Sequence, residues 1–125
     1  MYSKPILQFF ALVVLALALG GTAAAGTPQT SNGITTIHLD QYNGYFAAQE
    51  TLAGLKPGTY DFVVTNKAGK LVGFQIQSGR THEQLDMFPL DPGETRTSRV
   101  TITDEGFRYR CPINPTPWYE VGVGG

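Results

Sequence analysis

Apolar and polar residues alternate with a period of two through much of this chain, as in strands that bury one face. In Ile34–Leu39, Ile37 and Leu39 fall on one side, and Thr36 and His38 on the other, which Asp40 continues. Thr59–Asn66 puts Tyr60, Phe62 and Val64 on one face, and Leu71–Gln77 alternates after it. Thr95–Thr103 turns Val100 and Ile102 inward. Phe107–Cys111 sets Phe107, Tyr109 and Cys111 against Arg108 and Arg110, and Tyr119–Val123 sets Tyr119, Val121 and Val123 inward. Tyr45–Leu52 reads equally as a strand or a short helix, and Ser78–Asp86 as a loop or one helical turn. The apolar run Met87–Leu90 is expected to enter the core. Pro57-Gly58 and Pro92-Gly93 carry turn chemistry, with proline at the first central position and glycine where φ is positive. The short turn over 67–70 predicts a hairpin between 59–66 and 71–77. Six or seven short strands with regular turns and no long helical period predict one all-β, antiparallel sandwich.

The chain's ends and charges narrow this picture. Lys4, an apolar run over Ile6–Leu19, and Ala23 and Ala25 before Gly26 form the pattern of a secretory signal peptide over residues 1–25. The run is shorter than the roughly 20 residues of a membrane span. Polar, turn-rich Gly26–Gly33 is expected to be a flexible lead-in, and residues 34–125 the folded domain. The formal net charge of −1 falls to about −2 without Lys4, so nothing favours bulk attraction to nucleic acid or an anionic membrane. Export to the periplasm or cell exterior implies an oxidising compartment. Yet Cys111 is the single cysteine. It is therefore buried and inert, a metal ligand, or a link between two chains.

The order of motifs resembles the cupredoxin family of plastocyanin- and azurin-like domains. The segments that carry the resemblance are LKPGTYDFVVTN, KAGKLVGFQI, LDPGETRTSRVTI and EGFRYRCPI, within Leu55–Val123. It implies a Greek-key sandwich whose YxYxC strand opens a metal loop. A type 1 copper site draws on two histidines, a cysteine and a weak axial methionine. The family's first histidine falls where this chain has Val72 or Gly73, and its second histidine and methionine follow the cysteine. Residues 112–125 hold neither residue type, so of the usual set only Cys111 matches. Cys111 with His82 and Met87 is a soft set that could hold copper if the 78–86 loop folds onto the cysteine end. Otherwise His82 is a surface histidine, Met87 a core methionine and Cys111 a small buried hydrophobe. His38 reads as a solvated residue of the first strand.

The cysteine opens FRYRCPINPTPWY, in which Pro112, Pro115 and Pro117 stiffen the chain before Trp118 and Tyr119. That end reads either as a hydrophobic plug or as an aromatic patch that docks a partner. Arg108 and Arg110 share a strand face, and Arg99 and Arg96 are expected near them. No Ser-His-Asp order, nucleophile elbow or phosphate-cradling loop is present, so no enzymatic activity is expected. The leading expectation is an exported module that binds a protein partner through Trp118, Tyr119, Arg108 and Arg110, with no cofactor, as a monomer or a Cys111-linked dimer. The alternative is a copper carrier or electron-transfer protein with an atypical site at Cys111.

Overall fold

The computed structural model describes residues 25–124. The signal-peptide pattern therefore lies, apart from Ala25, outside the described residues. Those residues contain nine strands and no helix: β1 (Gln29–Ser31), β2 (Ile34–Tyr42), β3 (Tyr45–Ala48), β4 (Gly58–Asn66), β5 (Val72–Ser78), β6 (Gln84–Leu90), β7 (Thr95–Ile102), β8 (Phe107–Arg110) and β9 (Tyr119–Val121). The ambiguous 45–52 segment resolves as the strand β3. Within the expected lead-in, Gln29–Ser31 forms β1, folded back on β2 by Asn32-Gly33 with φ of 53° and 79°. Two successive residues in the left-handed region make the tight hairpin turn that matches strand twist.

One sheet has the order β1-β2-β4-β7, with β3 also on β2, and the other the order β6-β5-β8-β9. The expectation of a purely antiparallel arrangement is corrected at one place: β2 and β4 run parallel, from Ile34↔Thr59 to Gln41↔Asn66. The reason lies in β3, which returns the chain along one edge of β2. Residues 49–57 then carry it to the other edge, so β4 starts level with the start of β2 and must run alongside it. The expected hairpin of 59–66 with 71–77 is also corrected. β4 pairs with β2 and β7, whereas β5 pairs with β6 and β8. The 67–71 connection is a step from one sheet to the other.

Both strands beside that step turn their large residues into one core. Phe62 and Val64 of β4 and Phe74 and Ile76 of β5 are fully buried. Phe62 meets Phe74 across the interior at 6.3 Å between ring centroids and Phe107 at 5.2 Å. Burying a side chain of this size contributes on the order of 1.5–3 kcal/mol, so the two inner faces hold the sheets together. Met87 does not join them. Phe88 and Leu90 take the inward places of β6, and Met87, 49% exposed, points outward.

Asn66 fixes the crossing. Its buried amide donates to Lys70 O (2.8 Å) and Leu90 O (3.0 Å), and its Oδ1 accepts from Ala68 N–H (2.7 Å). The side chain thus closes the 67–70 turn and ties it to β6. Replacing Asn66→Ala strands three backbone groups, and an unmet buried partner costs on the order of 1–3 kcal/mol. The expected loss is about 2–4 kcal/mol in urea unfolding, seen as a lower midpoint at unchanged slope. A loss below about 0.5 kcal/mol would show that water replaces the amide freely.

Candidate functional site

The site grows from the end of β2. Gln41 is fully buried, an unusual place for an amide, and its hydrogen bonds explain it. Nε2 donates to Gly73 O on β5 (2.7 Å), Oε1 accepts from Gly44 N–H (2.6 Å), and the Gln41 carbonyl accepts from Lys67 N–H (2.8 Å). One side chain therefore joins both sheets and sets the Asn43-Gly44 turn, whose φ angles are 59° and 104°.

That turn is the dock for the proline-rich loop. Asn114 Nδ2 donates to Asn43 O (2.8 Å), and Thr116 Oγ1 donates to Gly44 O (3.1 Å). A Cβ on Gly44 would stand 3.0 Å from Thr116 Cγ2, so glycine permits both the turn and the close approach. The loop's first residue is fixed too: Asn114 N–H donates to Cys111 Sγ (3.3 Å).

Cys111 continues the inward parity of Phe107 and Tyr109 and is fully buried. Burial pushes the neighbouring Tyr109 phenol well above its ordinary value, and Tyr119 adds to the shift. The other donors proposed for copper lie elsewhere. His82 is exposed, with φ of 64°, and its N–H donates to Ser78 O. Ser78 pairs with Phe107, at the far end of β8 from Cys111. Phe107 and Cys111 are four residue steps apart along the strand, about 13 Å at the usual rise. Met87 is on the outer face of β6 and Cys111 on the inner face of the same sheet. His38 is half-exposed and bonded to Glu50, its Nδ1 2.7 Å from Oε2, while Glu50 Oε1 accepts the His38 backbone N–H.

Val72 and Gly73, where the first histidine would fall, offer no donor. Val72 is fully buried. A Cβ on Gly73 would stand 3.1 Å from Pro112 Cγ and 3.2 Å from Phe88 O. The Pro112 ring takes the space a side chain at 73 would need. Among the described residues no group of three or more His, Cys, Asp or Glu is gathered for a metal. The donors around Cys111 do not fit a type 1 copper ion.

The residues proposed for a partner fare differently. Arg108 and Arg110 extend outward from β8, and Trp118 lies just before β9 on the same outer face. The Arg108 guanidinium carbon is 4.0 Å from the Trp118 ring centroid and that of Arg110 is 4.2 Å away. Glutamines of β5 orient both: Arg108 Nε and Nη2 donate to Gln77 Oε1 (3.0 and 2.8 Å), and Arg110 Nε donates to Gln75 Oε1 (3.2 Å). Among the described residues neither guanidinium has a carboxylate within 4.0 Å. Glu120 is the cross-strand partner of Arg108 in register, yet Arg108 turns to Gln77 and the indole.

Tyr119 turns inward. Its ring stacks on Tyr109 at 5.0 Å and 14°, and its hydroxyl accepts from Phe46 N–H (3.0 Å), joining β9 to β3. Trp118 is thus the loop's outward ring. It also lines a cleft of about 430 Å³ with Asn43, Tyr45, Thr116 and Pro117, and Tyr45 is 61% exposed.

The expected grouping of Arg99 and Arg96 with these arginines is corrected. Both sit on β7, in the other sheet. Arg99 Nε and Nη2 hold Asp61 at 2.8 and 2.9 Å, and this bonding keeps the Asp61 carboxyl below its ordinary range. Arg96 lies over Phe88 at 4.7 Å. The residues absent from the sequence reading are Gln41, Gln75, Gln77, Asn114 and Thr116. For Gln75 and Gln77 the alternation of β5 was a usable signal, since it turns both outward.

No protein-family model matches this chain, and no curated protein matches its sequence.

Close packing at Gly73 gives a direct test of the loop's seating. Gly73→Ala is expected to cost about 1–3 kcal/mol by overpacking. Pro112→Ala in the same chain should recover part of that loss, because it removes the nearer obstacle. Additive losses in denaturant unfolding would place Pro112 away from Gly73.

Proposed function

We propose that this chain is an exported, cupredoxin-like Greek-key module that has no type 1 copper site and works by binding a protein partner. It performs no catalysis. Its working surface is Trp118 with Arg108 and Arg110, and Tyr119 supports the loop from the inner side. The observation that carries this reading is the seating of the 111–118 loop. Its cysteine is turned into the core, Pro112 packs on Gly73, and Trp118 is held outward under two guanidiniums without carboxylate partners. Tryptophan and arginine are the residues most often found as energetic anchors of interfaces. The order of the Pro-Gly turns, the YDFVVTN strand and the FRYRC strand supports descent from a copper-binding scaffold, and the leader pattern supports export. A thiol buried in the core favours a monomer over a Cys111-linked dimer.

The test is metal retention. The purified protein is given one equivalent of Cu(II), and separately of Cu(I) under reducing conditions, then desalted. The expected result is no retained copper and no thiolate-to-copper absorption, with wild type and Cys111→Ser indistinguishable. Retained copper whose visible band disappears in Cys111→Ser would overturn the reading in favour of a copper carrier.

A further inference from the structure

The outer face of the second sheet carries an unusual charge arrangement. Arg108 and Arg110 approach one indole, so their guanidinium carbons are at most twice 4.2 Å apart. Two like charges at such a distance repel by about 0.5 kcal/mol in water, and by more beside a low-dielectric ring. Arg99, by contrast, is neutralised by Asp61, and Arg80 by Glu105. Arg108 and Arg110 have neutral partners instead. Gln77 accepts two of the five N–H donors of Arg108, and Gln75 accepts one of those of Arg110. Gln75 is itself held, its Nε2 donating to Gln84 Oε1 (2.8 Å). The glutamines thus fix the direction of each planar fork without removing its charge, and most of the fork's donors stay open.

We infer that this face binds a carboxylate-bearing peptide segment, with Arg108 and Arg110 as its receptor and the Trp118 cleft taking an apolar side chain beside the acid. The inference rests on the partner-binding reading above and names the chemistry of the partner. Carboxylates match the guanidinium fork in shape, and a charge-assisted bond of this kind is about twice as strong as a neutral one. An anion bound beside the two arginines also relieves their repulsion, and its binding gains from charges that have no carboxylate within 4.0 Å, Glu120 standing opposite Arg108 in register without reaching it. The apolar part follows from Trp118, which belongs to both places. Its ring lies under the guanidiniums and also lines the cleft with Tyr45 and Pro117. A segment reaching from one to the other pairs an acidic residue with a neighbouring aliphatic or aromatic one. The chain's overall charge is slightly negative, so attraction to such a segment is local to this face, and salt screens it readily.

Trp118 is the single tryptophan, and its fluorescence reports on the site directly. The metal-free protein, kept in chelator, is titrated with an acetylated, amidated peptide of sequence Asp-Glu-Leu-Glu-Asp. Parallel titrations use the uncharged analogue Asn-Gln-Leu-Gln-Asn, inorganic phosphate, and phosphatidylglycerol vesicles. The acidic peptide is expected to change the emission saturably, and about tenfold more tightly than the uncharged one. Raising sodium chloride from about 20 to 200 mM should weaken it severalfold, as the screening length shortens. Arg108→Gln with Arg110→Gln should abolish the preference for the acidic peptide, while Arg99→Gln, on the other sheet, leaves it intact. Circular dichroism of each variant checks that the strands persist, and Arg110→Lys alone, which keeps the charge and loses the fork, should give an intermediate affinity. Equal binding of the two peptides, an unchanged preference in the double variant, or saturation by phosphate or vesicles with no response to the acidic peptide would each overturn the inference. None of these outcomes bears on copper retention, so the carboxylate claim and the copper-free reading fail separately.

Discussion

The end of the sandwich that carries the proline-rich loop hangs from the side chain of Gln41. It is a buried amide whose Nε2 donates to Gly73 O in the opposite sheet and whose Oε1 holds Gly44 N–H. Burying an amide without partners costs several kcal/mol, so the position is tolerable only because both ends are used. The consequence travels outward by hydrogen bonds. Gln41 sets the Asn43-Gly44 turn, and the carbonyls of that turn receive Asn114 and Thr116. The loop so held delivers Trp118 to the arginines of β8. A residue far inside the fold thereby decides where an indole stands on the surface.

At the same end the residues pack against one another, and among the described residues no cluster is gathered around Cys111 for a metal. The loop needs its first residue fixed, and Cys111 supplies that as a buried acceptor for Asn114 N–H. Pro112 fills the place over Gly73 that a ligand side chain would need. Tyr119 closes the interior by stacking on Tyr109 and bonding to β3. These are packing solutions, and each uses space that coordination would require. The outer face is left to polar and charged groups, where the glutamines of β5 organise the arginines.

Much of this was legible in the sequence, though unevenly. Alternation assigned the faces of β4, β7 and β8 correctly, because a residue's side of a strand depends only on its parity. Parity says nothing of which strand lies alongside, so 59–66 and 71–77 looked like a hairpin when they belong to different sheets. Met87 was misplaced by its apolar neighbours; parity with buried Phe88 and Leu90 puts it outside. Parity with inward Tyr119 likewise puts Trp118 outside, next to Arg110. Asn32-Gly33 and Asn43-Gly44 were readable hairpin signals, but the first was hidden by a strand, Gln29–Ser31, exposed on both faces. Gln41 and Asn66 could not have been found, since an amide betrays its burial only through partners distant in the chain. The open charges of Arg108 and Arg110 were beyond reach for the same reason: their neighbours come from β5 and the loop.

The claim that a buried amide positions the surface indole can be measured with Gln41→Leu, which keeps the volume apolar and removes both hydrogen bonds. Acrylamide quenching of Trp118 emission, at a temperature where circular dichroism shows the variant folded, reads the effect. Quenching is expected to rise at least about twofold, because the turn, the loop and the ring lose their anchor in sequence. Quenching equal to wild type in a folded variant would contradict the account, and would mean that the loop seats Trp118 without Gln41.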